Sequence, residues 1–284
     1  MFRKLLKYDI KAVWGIWRVM AVILVIMSVV GSFVMRFLNS HIDKLYYSST
    51  LSGLMSLFVL TAVLSVFAAF TITAVLVFIR FHKNFFTDEG YLTFTLPVSR
   101  GMLLRAKTAN ATIWALALIA LYMVCALPFI FFSFPENGEI ISFWFFELIG
   151  EFFDNAWKEA GAITIVYCIE AILFLLTVIF AAVVTVQFCI TVSSIVAKKA
   201  NVLVGIGVFY GLNLVVSAIN EIVETVYWFY LANGFNQITR TYSNFASYGC
   251  NSILFLTLCM AVVTGTLIVH ALTRLCIERK LNLA

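Results

Sequence analysis

The sequence predicts an all-α, polytopic membrane protein, and three observations lead to that prediction. Hydrophobic residues fill 63% of its 284 positions and charged residues only 12%, too few polar side chains to cover a water-soluble fold. The apolar runs reach the roughly 20 residues that a helix needs to cross a bilayer. They are continuous rather than alternating, which favours helices over a β-barrel because each backbone polar group in lipid must be paired.

The apolar runs and their polar ends predict six transmembrane helices. These fall near residues 18–38, 54–79, 109–133, 161–196, 201–230 and 251–273. One membrane domain, residues 1–284, accounts for the chain. The predicted external connections are too short for a large folded ectodomain, so we expect none.

The basic residues predict the orientation of these spans. With both termini in the cytoplasm, fifteen of the nineteen Lys and Arg residues fall on the inner side and four on the outer side. The net charge of +5 is typical of a nucleic-acid binder too. Here, however, the basic residues lie at membrane edges, where anionic headgroups attract them, so no nucleic-acid partner is expected.

Residues 2–17 form an amphipathic pattern ahead of the first span. On a helical wheel one face carries Phe2, Leu5, Leu6, Ile10, Val13 and Trp17, and the opposite face carries Arg3, Lys4, Lys7 and Lys11. This pattern predicts an elbow helix that lies in the inner interface before the chain turns into the bilayer. Two interpretations stay open: a simple anchor, or an elbow that also touches a partner. The following apolar run is too long for a signal peptide.

A second amphipathic stretch covers residues 143–158, between the third and fourth spans. Aromatic and aliphatic side chains cover one side, whereas Glu147, Glu151, Asp154 and Lys158 recur on the other. We expect an external interfacial helix with its rings at headgroup depth. Its role is either membrane anchoring alone or shaping the exit of a pore.

The cytoplasmic loop at residues 80–107 is the most informative segment, because it mixes both charge signs with aromatic residues. Asp88, Glu89 and Gly90 suit the first turn of a short helix, since carboxylates favour the positive end of its dipole. Pro97 ends that helix. A short helix that presents Tyr91, Leu92 and Phe94 suits a groove on a soluble partner. The alternative is a loop that tucks against the inner leaflet.

The residues from Asp88 to Ser99, DEGYLTFTLPVS, are followed by Leu103, Leu104, Lys107 and a span with Trp114. This stretch resembles the corresponding loop of ABC-2-type permease subunits from Gram-positive bacterial ABC exporters. The six-span layout and the N-terminal elbow are similar too. Within that group, the size and the short external loops resemble the membrane subunits of exporters for amphipathic peptides, such as phenol-soluble modulins and lantibiotics.

The resemblance implies a permease dimer in a bacterial plasma membrane, either a homodimer or a heterodimer with a paralogue. It also implies two ATPase subunits, which bind ATP and Mg²⁺, and an amphipathic or hydrophobic peptide as substrate. The coupling helix seated in each ATPase would comprise Asp88, Glu89, Gly90, Tyr91, Leu92, Phe94 and Pro97. The chain has no GxxxxGK[ST] motif of its own, so we expect no ATPase activity and no catalytic residue in it.

Polar residues within the predicted spans indicate a translocation path, because ionisable groups at membrane depth usually face a cavity or the bundle interior. A stripe on the fifth span comprises Asn213, Ser217, Asn220, Glu221 and Glu224. Glu170 and Thr177 share a face of the fourth span. These carboxylates would attract a cationic amphipathic substrate. Alternatively, Glu221 and Glu224 sit at the outer headgroups and Asn213 bonds to another helix.

The sequence fits two other functions less well: an ion-coupled secondary transporter and a membrane-embedded hydrolase. An ion-coupled secondary transporter needs its own ion site and commonly has interrupted helices in repeated halves, which the three prolines do not indicate. A membrane-embedded hydrolase needs a nucleophile or metal ligands at catalytic spacing. The cysteines form no CxxC pair and the histidines no HExxH motif, so no metal or cofactor is expected in this chain.

Overall fold

The computed structural model describes residues 2–40, 49–87, 90, 95, 97–132, 144–196, 201–238 and 244–280. Every regular element in these ranges is helical, which confirms the all-α class for the described part of the chain. The helices are α1 (Phe2–Ser40), α2 (Ser49–Phe86), α3 (Arg100–Phe132), α4 (Trp144–Ala160), α5 (Ile163–Val196), α6 (Asn201–Ile238) and α7 (Asn244–Lys280).

Five of these helices, α1, α2, α3, α5 and α7, are long enough and apolar enough to cross a membrane. Among the described residues, α6 supplies a shorter apolar helix, Leu203–Ala218. The composition is that of a multi-pass membrane protein. The described helices are joined by short connections and are not interrupted by a large extramembrane domain.

The predicted elbow and first span form one continuous helix, α1. Val13, on the predicted apolar face, is 1% exposed, whereas Arg3, Lys4, Lys7 and Lys11 are exposed. Phe2, on the same predicted face, is exposed, and the turn expected after residue 17 is not seen. The physical reason is that residues 2–40 contain no proline, and an established helix propagates until a breaker stops it.

The chain divides into two compact units, of which the first comprises residues 1–80 and 109–151. Its core contains Leu24, Ala69, Leu118 and Leu121, contributed by α1, α2 and α3. Two hydrogen bonds join these helices: the Tyr122 hydroxyl donates to the Val66 carbonyl at 2.7 Å, and Ser28 Oγ donates to the Cys125 carbonyl. Side-chain donors to backbone carbonyls are a common link between apolar helices.

Three tryptophans pack together at one end of this first unit. The ring centroids of Trp17 and Trp114 lie 5.1 Å apart, and those of Trp14 and Trp17 lie 5.9 Å apart. Trp114 is 2% exposed. Because offset and tilted aromatic pairs are favourable, this cluster fixes the first turns of α1 against α3.

The second unit comprises residues 81–108 and 152–284, and in it α5 packs against both α6 and α7. Its core includes Val183, Val184 and Ile277. The corner from α4 to α5 is closed by Gly161, whose φ of 57° suits a glycine at a helix C-terminus. Gly161 N donates to the Trp157 carbonyl at 2.9 Å. The helix predicted at 143–158 corresponds to α4, Trp144–Ala160, and residue 143 lies outside the described residues.

Candidate functional site

The predicted cytoplasmic loop is shorter in the structure than in the sequence prediction. Helix α2 continues to Phe86 and α3 begins at Arg100, so the connection is residues 87–99, called the 87–99 segment below. Ser99 begins α3 as its cap, because Met102 N lies 2.9 Å from the Ser99 carbonyl and 3.3 Å from Ser99 Oγ.

The predicted coupling residues are only partly within the described chain. Asp88, Glu89, Tyr91, Leu92 and Phe94 lie outside the described residues. Gly90 is buried, and its N–H donates to the Thr87 carbonyl at 2.7 Å. Pro97 is exposed.

Gly90 lies unusually close to the end of α2. A Cβ atom at this position would come 3.1 Å from both the carbonyl carbon and the carbonyl oxygen of Phe85. These are backbone atoms, so they cannot rotate away as a side chain can. The 87–99 segment therefore needs glycine here to turn against α2.

The helix ends on both sides of this segment are tightly packed. On the α2 side Phe85 is 0% exposed, and its ring centroid lies 5.1 Å from that of Phe81. On the α3 side Leu103 and Leu104 are 2% and 1% exposed. These residues, with Gly90, are called the loop base. Its side chains have little room to move, because dense packing leaves few alternative rotamers.

Arg100 joins the start of α3 to the end of α7. Its guanidinium nitrogen Nη1 donates to the carbonyls of Ile277 at 3.2 Å and Glu278 at 3.1 Å. The last carbonyls of a helix have no partner within that helix, and a cation there also complements the helix dipole. Arg100 thus caps α7 from another helix.

A second contact at the same place involves Arg274. Its Nε donates to Glu278 Oε1 at 2.8 Å, one turn further along α7. The Arg274 side chain also lies against Gly101, where a Cβ would come 2.9 Å from Nε. Gly101 therefore permits the close approach of α3 and α7.

A buried polar contact further ties the start of α3 to α5. Thr108 Oγ1 lies 2.8 Å from Gln187 Oε1, and both side chains are buried, at 4% and 1% exposure. Thr191, also buried, donates to the Gln187 carbonyl at 2.8 Å. The loop base is therefore connected to α5 by Thr108 and to α7 by Arg100.

Among the described members of the proposed translocation path, those on α6 lie at the surface, whereas Glu170 of α5 is buried. Asn213, Ser217 and Glu221 are exposed on α6, and Asn213 Nδ2 donates to the Phe209 carbonyl of its own helix at 2.8 Å. The side chains of Asn220 and Glu224 lie outside the described residues. The described members of the stripe thus keep polar groups available at the surface of the single chain.

Glu170 and Thr177 on α5 occupy different environments. Glu170 is 3% exposed. One turn on, the rings of Phe174 of α5 and Phe255 of α7 lie 5.3 Å apart. Thr177 is half-buried and donates to the Leu173 carbonyl of α5 at 2.8 Å. Glu170 thus belongs to the packing of α5 on α7, whereas Glu221 is exposed.

Sequence reasoning missed Gln187, Thr108 and the role of Arg100. A signal for Gln187 was present, because an amide within a long apolar run is costly unless it is paired. No comparable signal identified Arg100, whose partners lie 177 and 178 positions away. Among the described side chains, no group of three His, Cys, Asp or Glu is placed to hold a metal ion.

Comparison with known proteins adds no further assignment. The chain matches no protein-family profile, no curated protein and no solved structure.

Proposed function

We propose that this chain is the membrane-spanning permease subunit of an ABC exporter in a bacterial plasma membrane. Two copies, or one copy and a paralogue, form the translocation path for an amphipathic peptide. Two separate ATPase subunits bind ATP and Mg²⁺ and drive the cycle. In this proposal the chain has six spans and both termini lie in the cytoplasm.

The observation that carries the proposal is the loop base. The 87–99 segment is flanked by side chains that are 0–2% exposed, and Arg100 ties its α3 side to the end of α7. A loop that only covered the inner leaflet would need no such anchoring. A rigid base suits force transmission, because a displacement of the segment would move α3 and α7 with it.

The exposed surface of α6 supports its inclusion as the sixth span. Leu203 is 75% exposed and Leu214 is 72% exposed. Continuous apolar surface of this kind is covered by lipid or by another chain in a functioning protein.

Helix α4 also exposes apolar side chains, since Phe152 is 67% exposed beside the exposed carboxylates of Glu151 and Asp154. That pattern supports an interfacial location for α4.

In this proposal the stripe on α6 contacts the substrate. Asn213, Ser217 and Glu221 remain accessible on the single chain, so they are available either to a second copy or to a water-filled path between copies. The carboxylate of Glu221 would attract the basic groups of a cationic amphipathic peptide. Glu170 of α5 is buried and would instead stabilise the packing of α5 against α7.

Charge reversal in the 87–99 segment tests the proposal. The double variant D88K/E89K should lose a co-purifying ATPase when the complex is extracted from native membranes, because the segment would no longer fit the groove of its partner. Leu92→Asp should act in the same direction by placing a charge in the proposed contact. Co-purification is measured by mass spectrometry, and coupling by ATP turnover.

The matched control is E147K/E151K, which makes the same charge change on α4. It should retain the ATPase, because α4 lies on the external side in the proposed topology. If D88K/E89K retains the partner and its ATP turnover at the level of the unmodified chain, the segment has no coupling role.

A further inference from the structure

A shallow cleft of about 430 Å³ runs along the first turns of α1. Its lining residues are Arg3, Leu6, Lys7, Ile10, Lys11 and Trp14. They form two neighbouring rows with a spacing of four residues, one basic and one apolar. Each row is about 12 Å long, since eight residues of helix rise by that distance. The cleft therefore presents three cations beside a matching apolar edge.

The surface that lines the cleft is almost wholly apolar, because the aliphatic stems of the three basic residues line it and their charged ends lie outside it. None of the six lining residues is a carboxylate, and Arg3, Lys7 and Lys11 are all exposed. Lys4 is exposed on the same helix but does not line the cleft. An anionic group is therefore the ligand that this lining favours.

The position of the cleft along α1 indicates the source of that anion. Beyond Arg18, which is exposed, the exposed residues of α1 are apolar, beginning with Val19 at 58% exposure. Trp14, at 48% exposure, lies one turn before this change. Tryptophan is enriched where headgroups meet hydrocarbon. α1 is a candidate membrane span, and the cleft lies along its N-terminal turns.

We infer that this cleft binds the headgroup of an anionic phospholipid. The phosphate would lie along Arg3, Lys7 and Lys11, and the glycerol and first acyl carbons would lie against Leu6, Ile10 and Trp14. An acidic protein segment is the competing ligand. The lipid is favoured because the apolar row and Trp14 lie on the same helix as the exposed apolar surface that begins at Val19. The inference does not depend on the proposed transport function.

Lipid titration of the purified full-length chain tests this site. Dioleoyl phosphatidylglycerol and dioleoyl phosphatidylcholine have the same acyl chains, and bound lipid is counted by native mass spectrometry. The unmodified chain should prefer the anionic lipid. The variant K7Q/K11Q should lose about 25-fold in affinity for it, since one basic residue near the surface contributes roughly fivefold. Binding of the zwitterionic lipid should not change.

The variant K4Q/R18Q is the matched control, because it removes the same charge from exposed positions of α1 outside the cleft. It should lose less affinity for the anionic lipid than K7Q/K11Q does, because neither Lys4 nor Arg18 lines the cleft. Equal losses in the two variants would show that the attraction belongs to the net charge of α1, which overturns the site. Equal binding of both lipids by the unmodified chain would overturn it as well. Both variants change exposed side chains, so matching elution in size-exclusion chromatography confirms that they fold.

Discussion

The loop base and the polar stripe of α6 are built in opposite ways. Next to the loop base, polar side chains join helices, since Arg100 bonds to α7 and Thr108 to α5. On α6, Asn213 bonds only within its own helix among the contacts described, and Glu221 stays exposed. Polar groups in the second unit therefore serve two purposes. Those joined across helices fix geometry, and those left accessible are available to a ligand or a second chain.

The largest loss of stability is expected from Thr108→Val. The change keeps the side-chain volume but removes the hydroxyl, leaving the buried Gln187 amide without that partner. A buried polar group that loses its hydrogen bond costs about 1–3 kcal/mol. The measurement is thermal unfolding of the detergent-purified chain. Thr71→Val is the control, because Thr71 is exposed and donates only within α2, to the Phe67 carbonyl. Equal losses for the two variants would contradict an interhelical role for Thr108.

A smaller effect is expected from Arg100→Gln, about 1 kcal/mol, because the bonds that it removes are partly open to solvent. The direct measurement is hydrogen exchange of the last turn of α7. Amides near Ile277 should exchange faster in this variant. Arg105→Gln serves as the comparison, since Arg105 Nε donates to the Gly101 carbonyl within α3. If both variants leave α7 equally protected, then Arg100 does not hold the helix end.

The smallest effect on stability is expected from Glu221→Gln, below about 0.5 kcal/mol, because an exposed surface side chain contributes little to stability. Under the proposed function the same change should lower substrate-stimulated ATP turnover with the complex intact. Glu147→Gln, at an exposed site on α4, should leave that turnover unchanged. A strong loss of stability in Glu221→Gln would mean that Glu221 is structural.

Much of the fold could be predicted from the sequence, because apolar length alone identifies membrane helices. The helical class and the helix at 143–158 follow from composition and periodicity. Helix ends were less predictable. Residues 80–86 and 100–107 carry enough charge to resemble a loop, yet they continue α2 and α3. A mixed-charge helix end is indistinguishable from an amphiphilic loop until its packing is known.

The candidate site was predictable only in its location. The sequence identified the 88–99 stretch by its mixed charge and aromatic residues, but not the contacts that fix its ends. The bonds from Arg100 to Ile277 and from Thr108 to Gln187 depend on how distant helices are rotated and shifted against each other. That information is not local to any segment. Glu170 and Glu221 looked alike as carboxylates in apolar runs, and only the structure separates the buried one from the exposed one.

Transport by reconstituted vesicles tests the central claim most directly, namely that a separate ATPase drives this bundle through the 87–99 segment. Vesicles are prepared with the chain alone and with its co-purified ATPase, and movement of a fluorescent cationic amphipathic peptide is followed. The account predicts movement only with the ATPase, ATP and Mg²⁺ present, and none with D88K/E89K. Peptide movement by the chain alone, driven by an ion gradient without nucleotide, would contradict it.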